Sequence, residues 1–186
     1  MRSPLFCYII GRIDIMNSID IQYFDVPCGR LIIGSYLNHI CICDWMCNCH
    51  RESIDKRIQR VLEASFTVRP SAVIDMTKME LEEYFKGIRM QFDIPLQMIG
   101  TEFQKQVWQF LSTIPYGTTL SYGAEAEYMG RPSAVRAVAN ANGANPIAII
   151  VPCHRVIGRN GALTGYAGGT DIKRYLLQLE QKYHPF

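Results

Sequence analysis

Two short apolar stretches, separated by polar residues, are the first structural signal along this chain. Residues 29–34 (Gly-Arg-Leu-Ile-Ile-Gly) and 40–45, where Ile40, Cys41, Ile42 and Cys43 lead to Asp44 and Trp45, predict two strands of a hairpin joined through 35–39. Residues 53–65 carry Ile54, Ile58, Val61 and Leu62 among charges, the spacing of an amphipathic helix. A shorter helix is predicted over 79–85, stopped by Gly87. Pro95 and Gly100 interrupt any periodic pattern between 93 and 100 and mark a boundary. Residues 17–93 therefore read as a small α/β domain whose role is support, with no catalytic site of its own.

Beyond the boundary the pattern turns mostly helical, over a predicted second domain at 100–183. Thr101 can cap a helix whose apolar stripe is Phe103, Val107, Phe110 and Leu111, and Gln104 completes a capping box. Ser121 can cap a helix over 121–129. Gly130-Arg131-Pro132 makes a tight joint, and an alanine-rich helix over 133–142 follows, with Val135 and Val138 facing the core and Arg136 projecting elsewhere. Helix, glycine turn, helix is a helix-turn-helix-like pattern, although from pattern alone a packed helical pair with no DNA role is the better reading. Asn142-Gly-Ala-Asn145-Pro146 suits a sharp reversal. The β-branched run 147–151 predicts a buried strand, 158–169 a glycine-rich loop, and 171–181 a last helix burying Ile172, Tyr175, Leu176 and Leu179 with Glu180 beside that stripe.

Charge sharpens the picture of the second half. The net charge is only +2, yet between Tyr128 and Thr170 there is no acid, while Arg131, Arg136, Arg155 and Arg159 lie there. An acid-free basic tract is a plausible footprint for a polyanion. No apolar run is long enough to cross a bilayer, and residues 5–10 are too short for a signal peptide, which points to the cytoplasm. Met16 is an alternative start. Six of the seven cysteines fall in the first fifty residues. Cys41, Cys43, Cys47 and Cys49 with His50 invite a zinc reading, but the strand-like alternation and close spacing favour reduced core thiols, so no metal is assigned.

Candidate chemistry centres on Cys153. Pro152 stiffens its approach, and His154 and Arg155 follow at once, supplying a base and a fixed positive charge of the kind that lowers a thiol pKa. Consecutive side chains scarcely face one another, so a water relay between thiol and imidazole is expected rather than a protease-like pair. A DNA-binding lesion sensor with Cys153 as bystander, and a Cys-His-Glu thiol hydrolase, are the competing readings.

Five motifs in order carry a resemblance: Ser121-Tyr122, the stretch 131–138 (Arg-Pro-Ser-Ala-Val-Arg-Ala-Val), Asn142-Gly-Ala-Asn145-Pro146, Pro152-Cys-His-Arg-Val156 and Gly165-Tyr-Ala-Gly-Gly169. Together they resemble the methylated-DNA–protein-cysteine methyltransferases, bacterial stand-alone type, densely from about 101 to 180 and weakly before 93. The resemblance implies an α/β N-terminal domain plus a mostly α C-terminal domain with a winged helix-turn-helix-like DNA-binding motif. It implies direct reversal of O6-alkylguanine in double-stranded DNA by a single alkyl transfer to Cys153, with the base flipped out, no cofactor, and a monomer in solution; activity on O4-alkylthymine is left open. By position, His154 is the base acting through a water, Glu180 its orienting carboxylate, Tyr122 the donor to the departing guanine and Asn145 a hinge. Arg136 is the wedge replacing the flipped base. Arg131, Ser133, Ala134 and Ala137 join Tyr122 on the DNA, and Val156, Tyr166, Ala167 and Gly168 wall the pocket. Relatives with serine at the Ala167 position gain a hydroxyl there; here backbone N–H groups are left to serve the lesion oxygen.

Overall fold

The computed structural model describes residues 17–184. The expectations for 5–10, Cys7 and Met16 lie outside them. The first unit is a four-stranded sheet in the order β3-β2-β1-β4, formed by β1 (Ser18–Val26), β2 (Gly29–Tyr36), β3 (His39–Trp45) and β4 (Ser65–Val68). The β1–β2 and β2–β3 pairs are antiparallel and β1–β4 is parallel. The expected hairpin is β2–β3, turned tightly at Leu37 and Asn38, both at positive φ as a two-residue hairpin turn matching strand twist requires. A register shift at Gly34 and Ser35 marks a bulge: Gly34 pairs with Ile42, and a Cβ there would meet the Ile42 side chain at 2.5 Å. Strands β1 and β4 were not legible as such; β4 is four mostly exposed residues.

Helix α1 (Arg51–Leu62) buries Ile54 and Ile58 against one face of the sheet, with Ile19, Ile21, Ile32 and Ile42. Val61, expected on its apolar side, is instead 56 % exposed: it shares the Ile54–Ile58 face but sits in the last turn of the helix, which ends at Leu62. Helix α2 (Ala72–Phe85) begins well before the predicted 79, with Val73, Ile74 and Leu81 buried. The opposite sheet face, through Leu31, Ile33, Cys43 and Trp45, shares one continuous core with the second half of the chain, including Val107, Trp108, Val138, Val151 and Leu176. Cys41 and Cys43 are core residues as expected, whereas Cys47 and Cys49 are exposed.

The second half holds α3 (Glu102–Leu111), β5 (Leu120–Ser121), α4 (Tyr122–Tyr128), a 3-10 turn (Pro132–Ala134), α5 (Val135–Gly143), a second 3-10 turn (Cys153–Arg155), β6 (Val156–Ile157) and α6 (Thr170–Tyr183). The Thr101–Gln104 capping box is formed in both directions, and Ser121 accepts from the Ala124 N–H to start α4. Gly130 takes φ +68 in the joint between α4 and α5. Trp108 is fully buried and donates its indole N–H to the Ala141 carbonyl at 2.8 Å, pinning α3 to α5.

The run 147–151 is buried but is not a strand. Proline at 146 and 152 brackets it, and its bonds close locally: Val151 N–H to the Ile147 carbonyl at 3.0 Å, Ile150 N–H to Ala148 at 2.9 Å, with Ile149 at φ +70. β-Branched residues here fill a turn because Asn145 ties it down, accepting from Ile147 N–H at 3.0 Å and donating to the Val151 carbonyl at 2.8 Å. Sheet contact survives as a bridge between Cys43 and Ile147, with Cys43 N–H bonded to Pro146 at 2.9 Å and Ala148 N–H to Cys43 at 2.6 Å. Leu96 bridges Ile40 farther along. The free edge of β3 is thereby covered and locked to the turn that leads to Cys153.

Candidate active site

Cys153 opens the second 3-10 turn, 8 % exposed, with its sulfur receiving the Asn145 side-chain N–H at 3.3 Å. Burial pushes the thiol up to about 11, against the opposing pull of the Asn145 hydrogen bond and the positive charge of Lys173. The expected lowering by Arg155 is therefore corrected. That guanidinium turns away to Glu180, donating Nε at 2.9 Å and Nη2 at 3.0 Å, and gives Nη1 to the Ile114 carbonyl at 2.6 Å. It braces a carboxylate rather than ionising the thiol.

Glu180 is the hub. Beyond Arg155 it accepts from His154 Nε2 at 2.7 Å, Tyr84 Oη at 2.8 Å and the Gly117 N–H at 3.0 Å, bringing α2, α3's exit, the Cys153 turn and α6 to one point. Burial by itself would raise its pKa; His154 and Arg155 outweigh that and hold the carboxyl well below the usual range. The side chains of His154 and Glu180 are both 0 % exposed. Burial also lowers the histidine, against the raising influence of Glu180, so the imidazole is neutral. An ionised carboxylate only accepts, so Nε2 carries the proton and Nδ1 is left with a lone pair. That Nδ1 is buried and finds no hydrogen-bond partner among the described residues.

Lys173, absent from the sequence reading, is fully buried on the same helix. Its ammonium bonds the Val156 carbonyl at 2.6 Å and the Thr164 carbonyl at 2.9 Å, and burial lowers it to about 8. The Tyr122 hydroxyl donates to that same Thr164 carbonyl at 3.1 Å, and the Lys173 nitrogen lies 5.7 Å from the Tyr122 ring centroid. Burial raises the phenol to about 12, so Tyr122 is a neutral proton donor near neutrality. Gly165, at φ +73, is needed here: a Cβ would stand 2.8 Å from the Tyr122 hydroxyl. The signal for Lys173 was a charge on the apolar stripe of α6, in line with Leu176 and Glu180.

A narrow cavity of about 10 Å³, room for no more than a water molecule, touches Cys153, Asn145, Tyr166, Ala167 and Gly168. Val156, expected on its wall, lies in the core instead, because β6 pairs with β5 and turns that side chain inward. The opposite wall corrects the view of the first unit as support alone: Asp44, Trp45 and Asn48 line the same cavity. On the α4–α5 surface, Arg131, Ser133, Arg136 and Ala137 are exposed and Ala134 is half-buried, so this face presents small side chains between two arginines. Arg131 lies 5.2 Å over the Phe103 ring. Among the described residues no group of three or more His, Cys, Asp or Glu could hold a metal ion, and no helix is long and apolar enough to cross a membrane.

These features define a class: a sheet unit packed on a mostly helical half that carries a buried cysteine beside an imidazole–carboxylate pair. The pattern described as 6-O-methylguanine DNA methyltransferase, DNA binding domain, matches residues 102–182. The methylated-DNA–protein-cysteine methyltransferase of Mycolicibacterium paratuberculosis is 58 % identical over 106 residues, 57 % of this chain and 64 % of that protein. Its namesake in Methanosarcina acetivorans is 61 % identical over 101 residues, 54 % of this chain and 65 % of that protein. The alignments thus span a little under two thirds of these relatives. The structural match is broader. Mycobacterium tuberculosis OGT in complex with DNA superposes with a TM-score of 0.78 at 42 % identity, covering 89 % of this chain and 95 % of that one. The O6-methylguanine-DNA methyltransferase of Pyrococcus kodakaraensis gives 0.59 at 25 % identity over 87 % and 98 %. The chain belongs to the methylated-DNA–protein-cysteine methyltransferase family.

Proposed function

We propose that this protein repairs double-stranded DNA by moving the alkyl group of O6-alkylguanine onto Cys153 once, without turnover or cofactor. The observation that carries the reading is the buried Cys153 sulfur, held by Asn145 and followed by a neutral His154 whose Nδ1 is free and whose Nε2 is fixed on Glu180. An ether carbon is a poor electrophile, so the sulfur must react as thiolate. The thiol proton passes through a water to His154 Nδ1, and Glu180 stabilises the resulting imidazolium. The sulfur lone pair forms the S–C bond as the C–O6 bond breaks. The electron pair leaves with guanine, which takes a proton from Tyr122.

A thiol raised by burial stays mostly protonated until substrate arrives, which protects it from adventitious electrophiles. The lesion is hidden in the duplex, so the base is flipped out towards Cys153 at a cost of a few kcal/mol, with Arg136 entering the stack and Arg131, Ser133, Ala134 and Ala137 meeting the strand. The mycobacterial relative in complex with DNA supports DNA as partner. The protein acts as a monomer in the cytoplasm, where the free thiols at Cys28, Cys47 and Cys49 stay reduced. Residues 17–93 and 100–183 serve as support and alkyl-acceptor domains, the first contributing one cavity wall.

The test is a single-turnover assay on duplex containing O6-methylguanine, scoring guanine restored. A burst equal to the protein added, followed by no further repair, is expected. Continued product formation would favour a turning-over thiol enzyme, and binding without repair a lesion sensor.

A further inference from the structure

The wall of the Cys153 cavity that comes from the sheet is built around Trp45, the last residue of β3. Its indole is 1 % exposed, and its N–H donates to the Tyr166 hydroxyl at 2.8 Å. Gly168 presses on the same ring, since a Cβ there would lie 2.5 Å from Cδ1. The residues just after Trp45 reach the loop as well: Cys49 N–H bonds the Ala167 carbonyl at 3.3 Å, and the Cys47 thiol approaches the Gly168 carbonyl at 3.5 Å. Three consecutive loop residues are thus held from the sheet. The strand end is itself fixed, because the buried Asp44 carboxylate accepts from Trp45 N–H at 2.8 Å, Asn48 at 2.7 Å and Arg51 at 2.9 Å.

We propose that Trp45 positions the Tyr166–Gly168 wall and limits the size of the substituent that Cys153 can accept. The inference rests on the alkyl-transfer reading above and adds a specificity-determining residue from the first unit. A small alkyl group needs the wall held firmly, so that the base presents its carbon to the sulfur. A larger group needs room on the side where the indole stands, and the space open between Trp45 and Cys153 is only about 10 Å³. Trading the indole for a smaller ring that lacks the N–H therefore acts in opposite directions on the two substrates.

The experiment compares single-turnover rates on two duplexes differing only in O6-methyl or O6-benzyl, for the unaltered protein, Trp45→Phe and Trp45→Leu, with thermal unfolding alongside. Loss of one hydrogen bond should slow methyl transfer by about three- to tenfold in Trp45→Phe. Benzyl transfer should hold or rise, and the benzyl-to-methyl ratio should climb further in Trp45→Leu. Tyr166→Phe removes the same bond from the other side; it should reproduce the loss on methyl, and adding it to Trp45→Phe should cost nothing more. It also carries the test should the Trp45 variants fail to fold. Equal slowing on both adducts, or full additivity of the two substitutions, would overturn the proposal and leave Trp45 as core packing. Failure of the unaltered protein to transfer either group would instead sink the alkyl-transfer reading.

Discussion

The side-chain nitrogen of Asn145 contacts the Cys153 sulfur at 3.3 Å and the Val151 carbonyl at 2.8 Å. One amide thus shapes the turn that delivers the nucleophile and supplies a donor to it. Burial holds the thiol at about 11 even with that help. Replacing Asn145 by Ala should raise the thiol further and slow its alkylation by iodoacetamide at pH 7, by roughly tenfold for one hydrogen bond to a charged group. Asn145→Asp, which offers no N–H and adds a negative charge, should not rescue it. The pH profile of alkylation reads the result: an unchanged profile in Asn145→Ala would show that the contact leaves the sulfur unaffected.

Glu180, its side chain fully buried, gathers His154, Arg155, Tyr84 and Gly117. Glu180→Gln strands the Arg155 charge, and removing one partner of a buried pair costs about 3–5 kcal/mol. Because the folded carboxyl lies below its unfolded value of about 4.3, its contribution is complete above that pH and is lost as acid protonates it. Denaturant titrations should therefore show the gap between unaltered protein and Glu180→Gln closing below about pH 4. A gap independent of pH would argue against an ionised Glu180.

Glu125 presents the opposite case. It is fully buried between α4 and α5, accepts the Asn142 side-chain N–H at 2.8 Å, and burial raises it to about 7. A folded pKa above the unfolded one means that stability falls as pH climbs from about 4.3 towards 7, at no more than roughly 1.4 kcal/mol per pH unit. Glu125→Gln keeps the contact and removes the charge, so it should gain on the unaltered protein steadily across that window. Parallel stability curves for the two would contradict the raised carboxyl.

Arg136 is exposed on α5, beside Ala137. As a wedge it matters only when a base must leave the stack, a step costing a few kcal/mol. Arg136→Ala should lose about tenfold or more on duplex, yet stay within about twofold on free O6-benzylguanine base. Equal losses on both substrates would reject the wedge.

Much of this arrangement could be read locally. The Thr101–Gln104 box, the Gly130 joint and the β2–β3 hairpin depend on neighbours a few residues apart, so side-chain chemistry alone specifies them. The run 147–151 misled because β-branched residues predict a strand only where partners flank them; prolines at both ends and the Asn145 clamp make it a turn. Arg155 was assigned to the thiol from adjacency in sequence, whereas Glu180, 25 residues on, competes for it successfully. Lys173 and Trp45 reach the site through tertiary packing. The Trp45–Tyr166 bond joins residues 121 apart, and nothing in either local pattern announces the other.

The central claim is that Cys153 takes the substituent and keeps it, and mass spectrometry reads this directly. After incubation with excess duplex carrying O6-methylguanine, the intact protein should gain one methyl group, all of it on the peptide containing Cys153, with Cys153→Ala unmodified and inactive. A methyl group on Cys47 or Cys49 instead, or repair by Cys153→Ala at the native level, would contradict the account.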